Sequence, residues 1–325
     1  MESLHLDITN KILSHVHPDS VLSCKLVCKT WQALLSRFKV GLLIAISRLE
    51  EKKDNNSVQL YYADYDQLNK DNDQFSYSAL PKINHPPIDM VEDHSPCMVG
   101  SCNGLVCISI PGPDSHCHND PTYICNPMTG EYVNLRALDP KLGRQCQIGS
   151  GFGYLSKTNE YKVVRIHYPL DFTKPNWFTH GCVQVYTLGG SGGGEWRNVG
   201  NITHLFSFPG VAGNGVIYFI EDFENRLVIF DMADEVFRVP PIQPPCLVPR
   251  DLKCSYSVNV LGGYLYVIHE NTCESVDLWS YKKNDDNGSE TPWKWRKEFS
   301  IPWQGLSDTD IYEPFSLTRN NQVLF

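Results

Sequence analysis

Two kinds of segment in this sequence carry residues that could bind a metal ion. His116-Cys117-His118 offers imidazole and thiolate groups, which are the ligand types that zinc prefers. Neighbouring residues of an extended strand point to opposite faces, however, and no second ligand pair follows at zinc spacing. Three further cysteines recur every five residues: Cys97, Cys102 and Cys107. This spacing is not that of a zinc site, and cysteine is commonly buried in apolar cores, so we predict no metal site.

Two glycine-rich segments have the composition of phosphate-binding loops. Gly149–Gly153 precedes a strand-like run rather than a helix, so it has no helix amides to offer a phosphate, and we interpret it as a turn. Gly189–Gly194 lacks the Lys-Ser/Thr of a P-loop and is interpreted as a flexible hairpin tip. No Cys–His or Ser–His–Asp combination stands out among the eleven histidines. We therefore expect no catalytic residues and no cofactor.

The first forty residues differ in pattern from the rest of the chain. Their apolar residues recur at helical spacing in two runs: Ile8, Ile12 and Val16, then Val27, Trp31, Leu34 and Leu35. Pro18 is a typical first-turn residue and marks the start of a helix between the two runs. The pattern predicts three short helices. A unit of about 40 residues rarely supports a core of its own, so either the rest of this chain or a partner protein covers its apolar surface.

The residues of this head resemble the F-box motif. In chain order they are Leu4-His5-Leu6-Asp7-Ile8, Ile12-Leu13, Leu22 and Leu26-Val27-Cys28-Lys29-Thr30-Trp31. The resemblance implies a three-helix F-box over residues 1–40 that docks on a Skp-type adaptor and, through it, on a cullin. The implied adaptor-binding residues are Leu4, Ile8, Ile12, Leu13, Leu22, Val27, Cys28 and Trp31. The chain departs from the family pattern at His5, where proline is usual, and at Arg37-Phe38-Lys39, where the segment after the third helix is shortened.

The charge distribution limits the kinds of ligand that residues 41–325 can bind. The net charge is −9. Residues 1–40 contain five Lys/Arg and three Asp/Glu, or +2, which leaves 23 against 34, or −11, for residues 41–325. We call residues 41–325 the body. Its negative charge repels phosphate backbones, which argues against nucleic acid as the main ligand.

The compartment is also indicated by the sequence. Asp7, Lys11 and Asp19 interrupt any N-terminal apolar segment of the kind that a secretory leader needs. The longest apolar run, around Val40–Ile46, is much shorter than the roughly 20 residues of a membrane span. We expect a soluble protein of the cytoplasm, the nucleus or both, with no membrane contact and with its twelve cysteines reduced.

From Gly41 onward, strand-like runs alternate with turns. Asn103-Gly104 lies between two apolar arms, which is a strong hairpin signal. The runs fall into sets of about four strands over roughly 40–50 residues, which is typical of β-propeller blades and would place about six blades in residues 41–325. A pair of β-sandwiches is the alternative fold. Because the chain stops at Val323-Leu324-Phe325, we expect that either strands around Leu42–Tyr65 complete the last blade or the sequence is truncated, and we favour incomplete closure of the ring.

Short sequence motifs of the body resemble those of the F-box-associated, kelch-like interaction domain of plant F-box proteins. The matching motifs include Ser101-Cys102-Asn103-Gly104-Leu105, Cys125-Asn126-Pro127-Met128-Thr129-Gly130, Gly151-Phe152-Gly153-Tyr154, the Asn214-Gly215 hairpin before Tyr218, and Asp277-Leu278-Trp279. They occur in family order from about residue 95 to 315. The resemblance implies that residues 41–325 hold the protein selected for ubiquitination. Four tryptophans are expected to be core residues of the repeats more often than binding residues: Trp196, Trp279, Trp293 and Trp295.

Our hypothesis from the sequence is a non-catalytic substrate receptor of a cullin-type ubiquitin ligase. The alternative is a propeller-type binding protein or enzyme whose N-terminal helices only cap the ring. A third hypothesis is a receptor-like protein in which His5 and the shortened segment near Phe38 abolish docking. The target protein and the loops that contact it are not predicted, because binding loops vary and one sequence does not mark them.

Overall fold

The structure is a computed structural model of the 325-residue chain. It describes residues 6–13, 27–31, 41–47, 58–64, 82–83, 97–109, 120–127, 131–137, 146–170, 173, 180–189, 194–250, 254–261, 263–271, 274–283, 293–302, 316–317 and 323–324. Within these ranges the secondary structure is mostly β, and no helix there has the length and apolar character that crossing a membrane would require.

The chain divides into two compact units. The first comprises Met1–Pro96, Gly104–Val106 and Tyr123–Leu135, and the second comprises Cys97–Asn103, Cys107–Thr122 and Arg136–Phe325. The first unit begins with the helix α1, Leu6–Leu13, and continues into a sheet of order β1-β2-β3, whose bounds are Gly41–Ser47, Val58–Asp64 and Lys82–Ile83.

The structure describes only part of the predicted head. Besides α1, the short segment Lys29–Trp31 is helical. Residues 14–26 and 32–40 lie outside the described ranges. The three-helix head and the domain boundary between residues 40 and 41 therefore stay predictions.

Four antiparallel sheets of four strands each follow in chain order. Sheet 1 contains β4 to β7: Cys97–Cys102, Leu105–Ser109, Pro121–Cys125 and Tyr132–Asn134. Sheet 2 contains β8 to β11: Cys146–Leu155, Glu160–Pro169, Gly181–Leu188 and Arg197–Ile202. Sheet 3 contains β12 to β15: Val211–Gly213, Val216–Glu221, Arg226–Asp231 and Val236–Arg238. Sheet 4 contains β16 to β19: Cys254–Leu261, Tyr264–Asn271, Ser275–Lys283 and Trp293–Pro302. A two-stranded sheet comes last, with β20 at Ser316–Leu317 and β21 at Val323–Leu324.

The first strands of the four sheets lie next to one another. Strand β8 contacts both β4 and β12, and β12 also contacts β4 and β16. Each sheet thus begins with an inner strand and adds its later strands outward, as the blades of a propeller do. The predicted sets of about four strands are confirmed for these four sheets. The blade number and the closure of the ring stay predictions.

The two predicted Asn-Gly pairs form the turns of two β-hairpins, β4–β5 and β12–β13. The backbone φ angles are 47° at Asn103 and 81° at Gly104, and 55° at Asn214 and 83° at Gly215. Positive φ at both central residues matches the right-handed twist of the flanking strands, which is why Asn-Gly is favoured there. The predicted hairpins are therefore confirmed.

The interpretation of Gly149–Gly153 as a turn is wrong, because these residues lie inside the inner strand β8. A Cβ atom on Gly151 would lie 2.8 Å from Ile217 Cγ2, and one on Gly153 would lie 2.7 Å from Met232 Sδ. The glycines therefore allow sheet 2 to approach sheet 3 closely. The core between these sheets includes Val164, Ile166, Val185, Ile217, Phe219 and Phe230.

An aromatic pair joins the third and fourth strand regions of each four-stranded sheet. The pairs are Tyr123–Tyr132, Tyr186–Trp196, Phe230–Phe237 and Tyr281–Trp295. Trp295 is buried, and Trp279 is half-buried against the core between sheets 3 and 4. Trp293 remains partly exposed and stacks on Tyr281. The expectation that these tryptophans serve mainly the repeat core is thus confirmed for Trp279 and Trp295.

Most cysteines of the described ranges are free, in agreement with the expectation of reduced thiols: Cys28, Cys102, Cys107, Cys125, Cys182, Cys246 and Cys254. Cys146, in contrast, takes part in a disulfide bond. The predicted reduced state is therefore wrong at this residue. His116, Cys117 and His118 lie outside the described residues.

A buried ion pair connects sheets 2 and 3. Lys162 donates hydrogen bonds to Met232 O at 2.7 Å and to Glu235 Oε1 at 2.8 Å. The more exposed Arg197 donates to both oxygens of the same carboxylate. Burial of Glu235 opposes its ionisation, but the bonds from Arg197 and Lys162 outweigh it and place its pKa below the ordinary value of 4.5.

We predict that Glu235→Gln lowers the free energy of unfolding by about 3 kcal/mol at pH 7, because the buried Lys162 loses its counter-charge. The carboxylate stabilises the fold above its unfolded pKa, and this contribution is lost as the pH falls through the lower folded pKa. The gap between wild type and Glu235→Gln in urea denaturation should therefore shrink below pH 4.5. Asp234→Asn, which breaks only an exposed pair with Arg238, is the control and should cost less than about 1 kcal/mol. Equal losses in the two variants would contradict this role of the buried pair.

Candidate functional site

Helix α1 presents apolar side chains to solvent. Ile8 and Ile12 are 51% and 48% exposed, and their spacing of four residues puts them on one helical face. Thr9, which lies on a different face, is buried. Lys11 in the last turn suits the helix dipole. Among the side chains described on this helix, a threonine is therefore buried while two isoleucines are exposed.

The second described segment of the head also exposes apolar groups. Val27 is 61% exposed, Cys28 is exposed and Trp31 is half-buried. The Trp31 amide donates a hydrogen bond to Cys28 Sγ at 3.4 Å, from the third helical residue to the residue before the helix. This is the geometry of an N-terminal cap, with sulfur in place of the usual oxygen. Cys28 thereby helps to start the helix that carries Trp31.

Five of the eight predicted docking residues can be placed. Four of them are exposed and one is half-buried: Ile8, Ile12, Val27, Cys28 and Trp31. Leu4 and Leu22 lie outside the described residues, as does the side chain of Leu13. Exposed apolar side chains concentrated in such short segments indicate a surface that binds another molecule. Their role in adaptor binding stays a prediction.

Three thiols of the described strands and loops, those of Cys102, Cys125 and Cys246, are not activated as nucleophiles. Burial raises the pKa of Cys102 and of Cys246 to about 12 and that of Cys125 to about 11. A thiol with such a pKa stays protonated at neutral pH and reacts slowly. Across the part of the chain that the structure describes, no group of three or more His, Cys, Asp or Glu residues is arranged to hold a metal ion.

His269 and Asp277 of sheet 4 are the two residue types of a catalytic dyad, but their geometry differs from one. His269 Nδ1 lies 3.8 Å from Asp277 Oδ2, which is beyond hydrogen-bond range. The carboxylate instead accepts a hydrogen bond of 2.6 Å from Lys297 Nζ and another from Ser300 Oγ. Burial opposes ionisation of Asp277, but these bonds outweigh it and lower its pKa. The carboxylate is thus engaged by Lys297 and Ser300 rather than by the imidazole it would orient in a triad.

The sequence analysis missed a second apolar surface, on loops of sheet 3. Phe208, Phe223 and Val248 are exposed there and come from three separate connecting segments. Each is a single apolar residue in a loop, without a periodic pattern. Since their proximity depends on the fold, no signal in the sequence could have found them as a group.

Comparisons with known proteins agree with this architecture. Residues 57–306 match the family described as the F-box associated beta propeller domain, and residues 1–43 match the F-box domain. The chain belongs to the F-box proteins with an F-box-associated β-propeller domain. This family assignment confirms both resemblances predicted from the sequence.

Similar proteins are found in Arabidopsis thaliana. The F-box protein At3g07870 is 26% identical over 93% of this chain and 73% of its own length. The F-box/kelch-repeat protein At3g23880 is 24% identical over 99% of this chain and 85% of its own length. Among solved structures, SapL1 lectin in complex with alpha methyl fucoside is similar over 82% of each chain, with a TM-score of 0.39 and 12% identity. Proteins that combine an F-box with this propeller domain are adaptors rather than enzymes.

We predict that Ile8→Ser and Ile12→Ser each lower the free energy of unfolding by less than about 1 kcal/mol, because half of each side chain is already in water. The matched change Ile217→Ser removes a fully buried side chain and should cost about 3–4 kcal/mol. Urea denaturation followed by circular dichroism measures all three variants. A loss at Ile8 or Ile12 as large as that at Ile217 would show that the isoleucines belong to a core rather than to a binding surface.

Proposed function

We propose that this protein is the substrate-recognition subunit of a Skp–cullin–F-box (SCF) E3 ubiquitin ligase, which recruits a target protein for ubiquitination and proteasomal degradation. The observation that carries the proposal is the exposure of Ile8, Ile12, Val27 and Cys28 within the segment that matches the F-box domain. These side chains are the ones that the F-box resemblance assigns to adaptor contact.

In this proposal the two parts of the chain have separate tasks. Residues 1–40 form a three-helix head that binds a Skp-type adaptor, and through it a cullin, with Leu4, Leu13 and Leu22 completing the apolar surface. Residues 41–325 form a propeller of about six blades that holds the target. The protein works in the cytoplasm, the nucleus or both. The acidic body is compatible with a protein target and unfavourable for nucleic acid.

Such a receptor needs no nucleophile of its own. Holding a target lysine near the thioester of a ubiquitin-charged enzyme raises its effective concentration, and proximity alone supplies a large part of the rate. The raised pKa values of Cys102 and Cys246 fit this role, because neither thiol is prepared to carry ubiquitin itself.

We predict that the full chain co-purifies with a Skp-type adaptor and that Val27→Asp weakens this binding at least tenfold. The aspartate would place an uncompensated charge in an apolar interface, and its desolvation costs more than the roughly 1.4 kcal/mol that a tenfold change requires. Trp31→Ala should also weaken binding, because it removes aromatic contact area. Calorimetry or pull-down with the purified adaptor measures both effects.

The control is Val236→Asp, the same substitution at a partly exposed valine of the body. It should leave adaptor binding unchanged. Absence of adaptor binding by the wild type would rule out the receptor function, and equal weakening by Val27→Asp and Val236→Asp would rule out the docking surface.

A further inference from the structure

Three apolar side chains are exposed at one end of sheet 3. Phe208 is 76% exposed, Phe223 44% and Val248 49%. Phe208 lies in the connection from β11 to β12, Phe223 in the turn between β13 and β14, and Val248 in the connection from β15 to β16. We call the exposed face formed by Phe208, Phe223 and Val248 the loop surface.

Hydrogen bonds bring the three segments together. Ser207 donates to the Asp222 carboxylate from its amide, at 3.2 Å, and from its hydroxyl. Phe208 and Phe223 are the residues that directly follow this bonded pair. Asn225 Nδ2 donates to Val248 O at 2.8 Å, which joins the third segment to the same turn. The three apolar residues therefore lie on loop segments that are bonded to one another.

The loop surface is held in a defined conformation before any partner arrives. The Glu221 carboxylate accepts bonds from the amides of Phe223 and Glu224, at 3.3 and 2.9 Å, and so closes the turn. The connection before β12 is anchored by a 2.7 Å bond from Gly210 N to Ser150 O. Gln243 anchors the other connection, since its amide bonds both backbone groups of Leu227 at 2.8 and 3.1 Å. Preorganised loops lose little entropy on binding.

The charges beside the loop surface favour a basic partner. The two arginines there already have carboxylate partners, with Arg250 3.2 Å from Glu224 and Arg226 3.7 Å from Glu221. Within the described part of the chain, Asp222 has no cationic partner and is bonded through Ser207. Burial raises the Asp222 pKa, and the nearby Glu221 adds to this effect. A lysine or arginine of a partner would stabilise the ionised carboxylate, and the net charge of −9 attracts basic segments over longer range.

Single exposed apolar residues are normal on a protein surface. Here three of them, including two phenylalanines, lie on preorganised loops that are bonded to one another. This composition is typical of the centre of a protein interface, where aromatic residues contribute most of the binding energy. Asp222, Glu224 and Arg250 lie one or two positions from Phe223 or Val248 in the chain and supply polar groups of the kind found at the rim of protein interfaces.

We propose that the loop surface is where this protein binds its target, and that the bound segment is basic and carries an apolar side chain that packs on Phe208 and Phe223. The proposal rests on the receptor function proposed above and defines the chemistry of the target. The lysine or arginine of that segment lies against Asp222.

The test uses the full chain in complex with the Skp-type adaptor and three sets of synthetic twelve-residue peptides. One set is basic with a central Phe, Leu or Trp, one is acidic with the same apolar residues, and one is basic without them. We expect the first set to bind best. Phe208→Ser combined with Phe223→Ser should weaken its binding at least tenfold, and Asp222→Asn, which keeps a hydrogen-bonding group for Ser207, should weaken it about threefold or more.

Val236→Ser combined with Tyr264→Ser is the matched control, since both residues are partly exposed and lie outside the loop surface. It should leave peptide binding within twofold of wild type. Circular dichroism of each variant confirms that the fold is retained.

Four outcomes would overturn the proposal. They are no binding of any peptide set, equal binding of the acidic set, unchanged binding in the Phe208/Phe223 variant, and a concentration-dependent dimer in ultracentrifugation that this variant abolishes. Val27→Asp separates the proposal from the receptor function, because it should lose the adaptor while keeping the peptides. Peptide binding by a wild type that never binds the adaptor would retain the loop surface and reject only the ubiquitin-ligase role.

Discussion

Strand β9 places one buried cation on each of its two faces, and the packing of the body depends on it. Side chains alternate along a strand, so Arg165 and Lys162 point in opposite directions. Arg165 bonds Asp120 at 3.0 Å and lies 4.0 Å from the centre of the Trp196 ring, while Lys162 bonds Glu235 at 2.8 Å. A buried cation without its partner is costly by several kcal/mol, so sheet 2 is held in register with the segments on both sides.

The buried contacts of sheet 2 also support the loops of sheet 3 that expose apolar side chains. The close approach at Gly151 brings sheet 3 against sheet 2, and the core between them fixes the ends of β13 and β14. The turn that carries Phe223 starts from those strand ends and is closed by Glu221. Binding residues on loops supported by a stiff scaffold are a common arrangement. The exposed isoleucines of α1 belong to the first compact unit, and the residues of the loop surface belong to the second.

Much of the architecture could be predicted because it depends on short local segments of the sequence. The order of phrases around Val27–Trp31 and Asn103-Gly104 identified both domains, and the family matches agree. The turns were predictable since an Asn-Gly pair adopts positive φ for local steric reasons. The interpretation of Gly149–Gly153 failed for the opposite reason. Its glycines make room for Ile217 and Met232, more than sixty residues away, and nothing in the local sequence shows that contact.

The sequence by itself therefore determined the domain types, the strand-and-turn order of the body and the apolar character of the head, because these depend on residue types and on neighbours in the chain. Only the tertiary structure decided which charges are buried, which glycines allow two sheets to pack closely and which exposed loop residues lie on segments that are bonded to one another. Lys162 and Glu235 are 73 positions apart, and Ser207 and Asp222 belong to different connections. Burial and ion pairing arise from such distant contacts, and these exist only once the sheets have packed.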